Sequence, residues 1–353
     1  MPAKRNLDDW EEPPDFEKPE LPYRNNSVLS IRRHIPPEPF GTLYTQETWR
    51  KEVDKHDLYD MTQSELCLQH PPAETAPHSD QTVSSLRVVE EIACRDGRGA
   101  QVLRCQLNDN NGQDYVAKIY DPLYYKYGPD VPNDVTWKAE SEYSQEAAAY
   151  EELVKNEVAG VYTPKYYGSW TFEMPLEGEA NKVRSVRMIL LGWIEGVTMK
   201  SLIETKRIRK ISPNQRLEIL AKAMEIECKV SFHGVWHRDL APRNLLLVGS
   251  DVGNEIPDIY LFDFSIAAVF SHPNCAERNY DTPRPISPRY QYWGQCPEEF
   301  HDWVPEPHRS RPLVFKGWVK TRWPQMEEFS DAPEGLQRFI DFHGPVEFAS
   351  PEW

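Results

Sequence analysis

The sequence predicts an α+β domain of two parts that follows a proline-rich arm. Predicted strands dominate the first part, while the clearest helix and two further short strands come later, so strands and helices do not strictly alternate. The composition, with 39% hydrophobic and 27% charged residues, is that of an ordinary globular chain. A chain of 353 residues can bury a sizeable core in one large domain or two modest ones.

Residues 1–80 form the predicted arm. They hold eleven of the 31 prolines but only one glycine, and their apolar residues follow neither a period of 2 nor a period of 3.6. This pattern is typical of an acidic, largely irregular segment. Residues 45–58 are the exception, because Thr45 is a suitable N-cap for a short helix there.

The first part of the domain begins near residue 83 and is predicted to consist mainly of strands. Alternating or continuous apolar residues between turn signals indicate strands at residues 86–92, 100–107, 114–121 and 186–191. Residues 140–157 separate the last two of these strands. Their alanine and glutamate content and their apolar spacing favour an amphipathic helix.

The second part contains the clearest predicted helix of the chain, which Gly234 ends. Ser212 is its predicted N-cap, Pro213 stands at the first helical position, and Gln215 completes a capping box. Two short buried strands follow, at residues 244–248 and 258–264.

The charge balance excludes several classes of partner. A net charge of −16 and a pI near 5.2 argue against a nucleic-acid-binding surface and against a basic membrane patch. No apolar run approaches the length of a membrane span, and the acidic N-terminus does not resemble a signal peptide. The six cysteines contain no CxxC pair, which is typical of reduced thiols, so we expect a cytoplasmic or nuclear protein.

The octapeptide HRDLAPRN, residues 237–244, concentrates polar side chains in a loop between the long helix and a buried strand. Asp239 and Asn244 carry a carboxylate and an amide oxygen, which suit Mg²⁺ as ligands, or one of them can take a proton while the other holds the metal. Asp263 ends the next buried strand, where a charge is costly unless it has a partner. A metal ion is the natural partner for it.

Lys118 lies in the predicted strand YVAKIY, which is too apolar for a lone ammonium group. The alternation of a strand places Val116 on the same face, so an apolar surface and a cation share one wall. Lys118 therefore needs an anion, and Glu146 on the following predicted helix is the best candidate. Glu142 and Glu151 compete with it for this ion pair.

The order of these residues resembles that of the protein-kinase family. The chain presents a strand lysine, a helix glutamate, the loop HRDLAPRN and the segment DFSIA in the order in which that family has its corresponding motifs. The resemblance covers roughly residues 83–270 and is closest to the divergent kinase-like proteins common in fungi. It implies a two-lobed protein-kinase-like fold, with a small antiparallel β-rich N-lobe at about 83–192 and a mainly helical C-lobe at about 196–345.

The resemblance also implies roles for individual residues. Lys118 would hold the α- and β-phosphates of ATP and pair with Glu146, and Asp239 would orient or deprotonate the acceptor hydroxyl. Asn244 and Asp263 would hold Mg²⁺. The remaining implied contacts are Gly97 and Gly99 in the phosphate loop, Val116 above the nucleotide, Gly192 and Ile194 in a hinge beside the adenine, and Arg243 against phosphate or substrate.

Several residues depart from the kinase pattern. Arg95 and Ala100 stand where the outer two glycines of the phosphate loop would be, and Ser265 replaces the glycine after Asp263. No clear APE motif follows in the remaining ninety or so residues. The phosphate loop is therefore expected to be weaker or differently shaped, and a full peptide-substrate region is in question.

Three functions are compatible with this pattern, and the resemblance makes ATP and Mg²⁺ the cofactors of the first two. A protein kinase is favoured by HRD, Arg243 and DFSIA, and its partner is a protein hydroxyl. A small-molecule kinase of the aminoglycoside or choline type is favoured by the missing APE motif. A pseudokinase, which is a binding or scaffold module, is favoured by the altered glycine loop.

Overall fold

The structure is a computed structural model, and it describes residues 12–44, 51–58, 60–108, 112–128, 134–178, 182–249, 255–292, 294, 296–324, 327–334 and 336. The chain divides into two compact units. Unit 1 comprises Met1–Tyr150 and Lys165–Trp193, and unit 2 comprises Glu151–Pro164 and Ile194–Trp353.

Unit 1 is built around a closed barrel of six strands in the order β1-β2-β3-β4-β6-β5, whose neighbours all pair antiparallel. The strands are β1 Val28–Arg33, β2 Ser84–Ala93, β3 Gln101–Leu107, β4 Tyr115–Tyr120, β5 Tyr166–Pro175 and β6 Val183–Gly192. Strand β1 closes the barrel, because Val28 pairs with Arg87 of β2 while Arg32 pairs with Thr171 of β5. Closure leaves the sheet without an open edge.

The sequence prediction of a two-lobed protein-kinase-like fold, with a small antiparallel β-rich N-lobe and a mainly helical C-lobe, is wrong. The strands of unit 1 close into a six-stranded barrel, and the described part of unit 2 combines helices with two small sheets. Of the six barrel strands, β1 and β5 are the two that the sequence does not predict, and they pair with each other. Without them the remaining strands would form an open sheet.

The arm is an integral part of unit 1. In β1, Leu29 and Ile31 point into the apolar core, and burying each side chain stabilises the fold by roughly 1.5–3 kcal/mol. Tyr23 is fully buried and donates a hydrogen bond of 2.6 Å to Asp121, which also pairs with the buried Arg184. The arm is therefore fixed by apolar burial and by a buried polar contact.

Three α-helices belong to the described part of unit 1 in whole or in part, and a short 3-10 helix lies at Pro122–Tyr124. The α-helices are α1 Lys55–Leu58, α2 Gln63–Gln69 and α3 Val135–Lys155. Helix α2 begins with a capping box between Thr62 and Glu65. Thr45, the predicted N-cap of a helix over residues 45–58, lies outside the described residues.

Unit 2 is organised around one long helix, α5. Ser212 caps α5, Pro213 is its first residue and Gln215 completes the capping box, as the sequence predicts. The described strands and α-helices that lie wholly within this unit are β7 Val197–Thr198, α4 Met199–Glu204, α5 Pro213–Phe232, β8 Val235–Trp236, β9 Leu245–Val248, β10 Asp258–Leu261, β11 Ala268–Val269, α6 Pro288–Gln291 and α7 Pro312–Arg322. Short 3-10 helices lie at Arg207–Lys210, Pro242–Asn244 and Glu298–Phe300. Strands β7, β9 and β10 form one small sheet, and β8 and β11 form another. No helix among the described residues has both the length and the apolar character to cross a membrane.

Candidate functional site

The predicted site residues fall into two groups, one in each unit, and each group has its own local geometry. In unit 1, Lys118 and Val116 lie on β4. Ala117 and Ile119 belong to the apolar core of the barrel. Because successive strand residues point to opposite faces, Val116 and Lys118 point away from that core.

Lys118 forms a buried ion pair with Glu146. Its Nζ lies 2.5 Å from Glu146 Oε2, and the two side chains are 10% and 0% exposed. The Tyr120 hydroxyl donates to the same carboxylate oxygen at 2.6 Å. A buried cation is tolerated only with such a partner, because the desolvation of an unpaired charge costs several kcal/mol.

The other two candidate partners of Lys118 have different environments. Glu142 accepts a hydrogen bond of 2.8 Å from the Tyr125 hydroxyl, and burial raises the pKa of that tyrosine well above its usual value, with the Glu142 charge adding to the effect. Glu151 is exposed. The structure thus identifies Glu146 as the carboxylate bonded to Lys118.

The turn between β2 and β3 contains Gly97 and Gly99, whose φ angles of +73° and +110° require glycine. Gln101 closes this turn, since its side-chain amide donates to the carbonyls of Gly99 at 2.7 Å and Arg95 at 3.1 Å. Its side-chain oxygen accepts from the Arg95 amide at 2.8 Å. Gln101 is fully buried. No pattern in the sequence singles it out, since β3 also contains Arg104 and a second glutamine, Gln106.

The predicted hinge residues Gly192 and Ile194 belong to different units. Gly192 ends β6, and its amide donates to the Lys165 carbonyl at 2.7 Å. The amide of Gly192 therefore has a partner within unit 1.

In unit 2, the HRDLAPRN loop connects β8 to β9 and is anchored by His237. This histidine is fully buried. Its Nδ1 accepts from the Asp239 amide at 3.2 Å, so the proton lies on Nε2, which donates to the Phe262 carbonyl at 2.9 Å. His237 is bonded to backbone groups, and it ties the loop to the segment just before Asp263.

Asn244 and Asp263 lie at the same end of the hairpin formed by β9 and β10. Leu245 pairs with Leu261, and the Phe262 amide donates to the Asn244 carbonyl at 3.1 Å. The side-chain amide of Asn244 donates to the Asp239 carboxylate at 2.8 Å and to the Asp239 carbonyl at 2.9 Å. These bonds orient Asp239 from one side.

Arg243 contacts Asp239 from another side. Its guanidinium lies 2.5 Å from Asp239 Oδ1 and 2.9 Å from Glu299 Oε2. Partial burial alone would lower the pKa of Arg243, but the carboxylates of Asp239 and Glu299 raise it above its usual value. The resemblance implies phosphate or substrate beside Arg243, whereas the structure places these two carboxylates there. Glu299 has no signal in the sequence, since it lies 56 residues further along the chain.

Two residues of this group have an unusual backbone. Arg238 and Asp263 have φ angles of 66° and 68°, in the left-handed region that side chains other than glycine rarely adopt. Ser265 donates to Asp263 Oδ1 at 2.8 Å, and Arg238 donates to the Ile266 carbonyl at 2.9 Å. Strained backbone of this kind is concentrated at functional sites in proteins.

The residues expected to hold Mg²⁺ fit that ion chemically. Asn244 and Asp263 offer hard oxygen donors, and Mg²⁺ in phosphoryl-transfer sites is held by one or two protein oxygens together with phosphate and water. No cluster of three or more His, Cys, Asp or Glu suited to a metal ion occurs within the described ranges. Such a cluster is the pattern of an all-protein metal cage, and Mg²⁺ rarely uses one.

The two groups thus supply different chemistry. Unit 1 provides a buried ammonium group paired with Glu146. Unit 2 provides the Asp239 carboxylate, which Asn244 and Arg243 orient. Comparison with protein-family models gave no match, and comparison with curated proteins gave none either.

Proposed function

We propose that the chain is an ATP- and Mg²⁺-dependent phosphotransferase that transfers the γ-phosphoryl group to the hydroxyl of a protein. The observation that carries the proposal is the arrangement around Asp239. Its carboxylate accepts from Asn244 and pairs with Arg243, while Asn244 and Asp263 share one end of the β9–β10 hairpin. A positioned carboxylate next to two hard oxygen donors is suited to phosphoryl transfer.

In the proposed mechanism each residue has one task. Asp239 accepts the proton of the attacking hydroxyl and aligns its oxygen. Asn244 and Asp263 would hold Mg²⁺, which when bound neutralises phosphate charge. Lys118, kept in place by Glu146, offers its ammonium group to phosphate oxygens.

A protein hydroxyl is proposed as the acceptor because of the residues around Asp239. The sequence HRD and the Arg243–Asp239 ion pair resemble the catalytic loop of protein kinases. Small-molecule kinases of the aminoglycoside or choline type usually have glycine where this chain has Arg238. Arg238 here bonds to the Ile266 carbonyl through its guanidinium, which glycine could not do.

A pseudokinase, that is a binding module without transfer activity, is the second candidate. It is favoured by the glycine turn, where the Gly97 amide donates to the Tyr124 carbonyl at 3.0 Å. An amide bonded in this way is not directed at a phosphate. This candidate predicts binding of nucleotide or partner without turnover.

The test is a thermal shift with Mg·ATP followed by an acceptor screen. We expect Mg·ATP to raise the Tm of the wild type and of Asp258→Asn, but not that of Asp263→Asn. Asp258 is the matched control because it begins β10, is exposed, and pairs with Lys222. An equal shift in Asp263→Asn would overturn the metal assignment.

The acceptor screen measures transfer of labelled γ-phosphate to peptides and to small alcohols. Transfer to peptides alone supports the proposed function. Transfer to small alcohols would replace the protein acceptor by a small molecule. Binding of Mg·ATP without transfer to any acceptor would favour the pseudokinase.

A further inference from the structure

The N-terminal arm contacts the turn that contains Gly97 and Gly99. Lys18 Nζ lies 3.0 Å and 2.9 Å from the two carboxylate oxygens of Asp96, so the contact is bidentate. It also donates to the side-chain oxygen of Gln63 at 3.0 Å. Lys18 is 18% exposed and Asp96 is 55% exposed.

Gln63 is a fixed acceptor for Lys18. It is fully buried at the start of α2, and its amide donates to the carbonyls of Pro122 at 2.7 Å and Tyr125 at 3.0 Å. The Tyr124 hydroxyl in turn lies 3.2 Å from the carbonyls of two arm residues, Pro19 and Glu20. Residues 18–20 of the arm are therefore bound to the segment that follows β4.

The same segment supports the glycine turn. The Gly97 amide donates both to the Tyr124 carbonyl at 3.0 Å and to the Asp96 carboxylate at 2.8 Å. Gly99 lies over the Tyr125 ring, since a Cβ on Gly99 would be 3.6 Å from that ring. Residues 122–125 thus join the arm to the turn.

The negative charge of Asp96 is unfavourable in a turn that receives phosphate. Its carboxylate lies beside the Gly97 amide, and a carboxylate near a phosphate repels it. Lys18 compensates for this charge with its bidentate contact. Because Gln63 fixes the ammonium, the compensation does not depend on a freely moving surface lysine.

We infer that Lys18 of the arm is a positioning residue for nucleotide binding, which acts by neutralising Asp96 and by holding the turn at residues 95–100 in one conformation. The inference rests on the proposed function, because the turn meets phosphate only if the chain binds ATP. It assigns the arm a part in the site, whereas the sequence predicts only an acidic, largely irregular segment for residues 1–80.

The first measurement is the affinity of the full-length protein for Mg·ATP. Lys18→Met should raise the Kd by about fivefold, which is near the upper limit for an ion pair with an exposed member. It should leave kcat unchanged, because Lys18 does not take part in the chemical step. In the double variant Lys18→Met/Asp96→Asn the Kd should return towards the wild-type value, because the uncompensated carboxylate is gone.

The matched control is Lys182→Met. Lys182 pairs with Glu17 of the same arm at 2.6 Å, so this variant also removes an arm contact while leaving the turn untouched. Its Kd should equal that of the wild type. An equal loss in both lysine variants would mean that a loosened arm weakens binding generally, and this would overturn the specific role of Lys18.

The second measurement is hydrogen exchange of the Gly97, Arg98 and Gly99 amides without nucleotide. Exchange should be faster in Lys18→Met than in the wild type and in Lys182→Met. This readout separates the two proposals. If the wild type does not bind ATP, the proposed function fails, but the exchange result still tests the turn. If Lys18→Met changes neither the Kd nor the exchange rates, only the inference about Lys18 is refuted.

Discussion

The Lys118–Glu146 pair of unit 1 and the Arg243–Asp239 pair of unit 2 have the same nitrogen–oxygen distance of 2.5 Å but differ in burial. The side chains of the first pair are 10% and 0% exposed, and those of the second are 43% and 26% exposed. Exposed ion pairs contribute about 0–1 kcal/mol to stability. Removing one member of a buried pair costs about 3–5 kcal/mol.

Because the two ion pairs differ in burial, substitutions in them should differ in their effects on activity and on stability. The Arg243–Asp239 pair orients a carboxylate and contributes little to folding, so its substitution should affect activity while the protein stays folded. The Lys118–Glu146 pair combines a proposed phosphate contact with a buried charge, so its substitution should affect both. The predictions below test this contrast.

The largest expected effect is the loss of turnover in Asp239→Asn. In the proposed mechanism Asp239 takes the proton of the acceptor hydroxyl, which an amide cannot do, so the rate should fall by about 10²–10⁴-fold. The Kd for Mg·ATP and the Tm should stay close to those of the wild type, because Asp239 is partly exposed and its ion pair adds little stability. Single-turnover kinetics at several Mg·ATP concentrations give the rate and the Kd, and a thermal melt gives the Tm.

The control for Asp239→Asn is Asp302→Asn, the same chemical change at an exposed position of unit 2. It should leave the rate unchanged. A near-normal rate in Asp239→Asn would remove Asp239 from the mechanism. A large drop in Tm would instead mean that this loop is needed for folding, contrary to the contrast between the two pairs.

The second prediction concerns stability in unit 1. Glu146→Ala leaves the Lys118 ammonium buried without the carboxylate bonded to it, so the free energy of unfolding should fall by about 3–5 kcal/mol. Lys118→Met together with Glu146→Ala should cost clearly less than the sum of the single changes, because methionine removes the buried charge. Urea unfolding of the four proteins completes this double-mutant cycle.

The control for this cycle is Glu142→Gln. Glu142 lies on the same helix and accepts from Tyr125, but it is more exposed than Glu146, so its loss should cost less. Additive losses in the Lys118 and Glu146 cycle would show that the two residues do not act as a pair. They would also contradict the helix packing that brings residues 28 positions apart into contact.

Local patterns in the sequence predict much of this molecule. Apolar alternation identifies β2, β3 and β4, and capping residues identify α5. A lone lysine in an apolar strand correctly indicates a buried anion, and Glu146 provides it. Each of these inferences uses residues that lie close together in the chain or whose chemistry requires a partner.

Barrel closure depends on features that are not local. Strand β1 has only two buried residues, Leu29 and Ile31, within a proline-rich arm. In β5 the alternation is interrupted by a register shift between Tyr166 and Ser169, where Gly168 has a positive φ of +94°. Because these two weak strands pair with each other, missing both converts a closed barrel into an apparent open sheet. Glu299 beside Arg243 was missed for a similar reason, since the contact spans 56 residues.

The smallest expected effect concerns Glu227, a third kind of charged site, on α5 of unit 2. It is buried like Glu146, but within the described ranges it has no cationic partner and instead accepts from Gln291 at 2.6 Å and from the Tyr292 hydroxyl. Burial raises the pKa of Glu227 from 4.5 to about 7, and the Tyr292 hydrogen bond offsets part of that rise. Glu227 therefore tests whether burying a carboxylate without a cationic partner lowers the stability of the folded protein.

Between pH 4.5 and about pH 7, Glu227 is mostly protonated in the folded protein and mostly ionised in the unfolded chain. Stability from this group is therefore highest below pH 4.5, falls as the pH rises through that interval, and is constant above about pH 7. The total change is about 3 kcal/mol.

Glu227→Gln should remove this part of the pH dependence and make the protein more stable than the wild type at pH 8, since an amide oxygen can accept from both donors. Tyr292→Phe should raise the pKa of Glu227 further and shift the upper end of the fall to higher pH. Urea unfolding at several pH values measures all three proteins, and an unchanged pH dependence in Glu227→Gln would show that Glu227 has the same pKa in the folded and the unfolded protein, so that burial does not raise it.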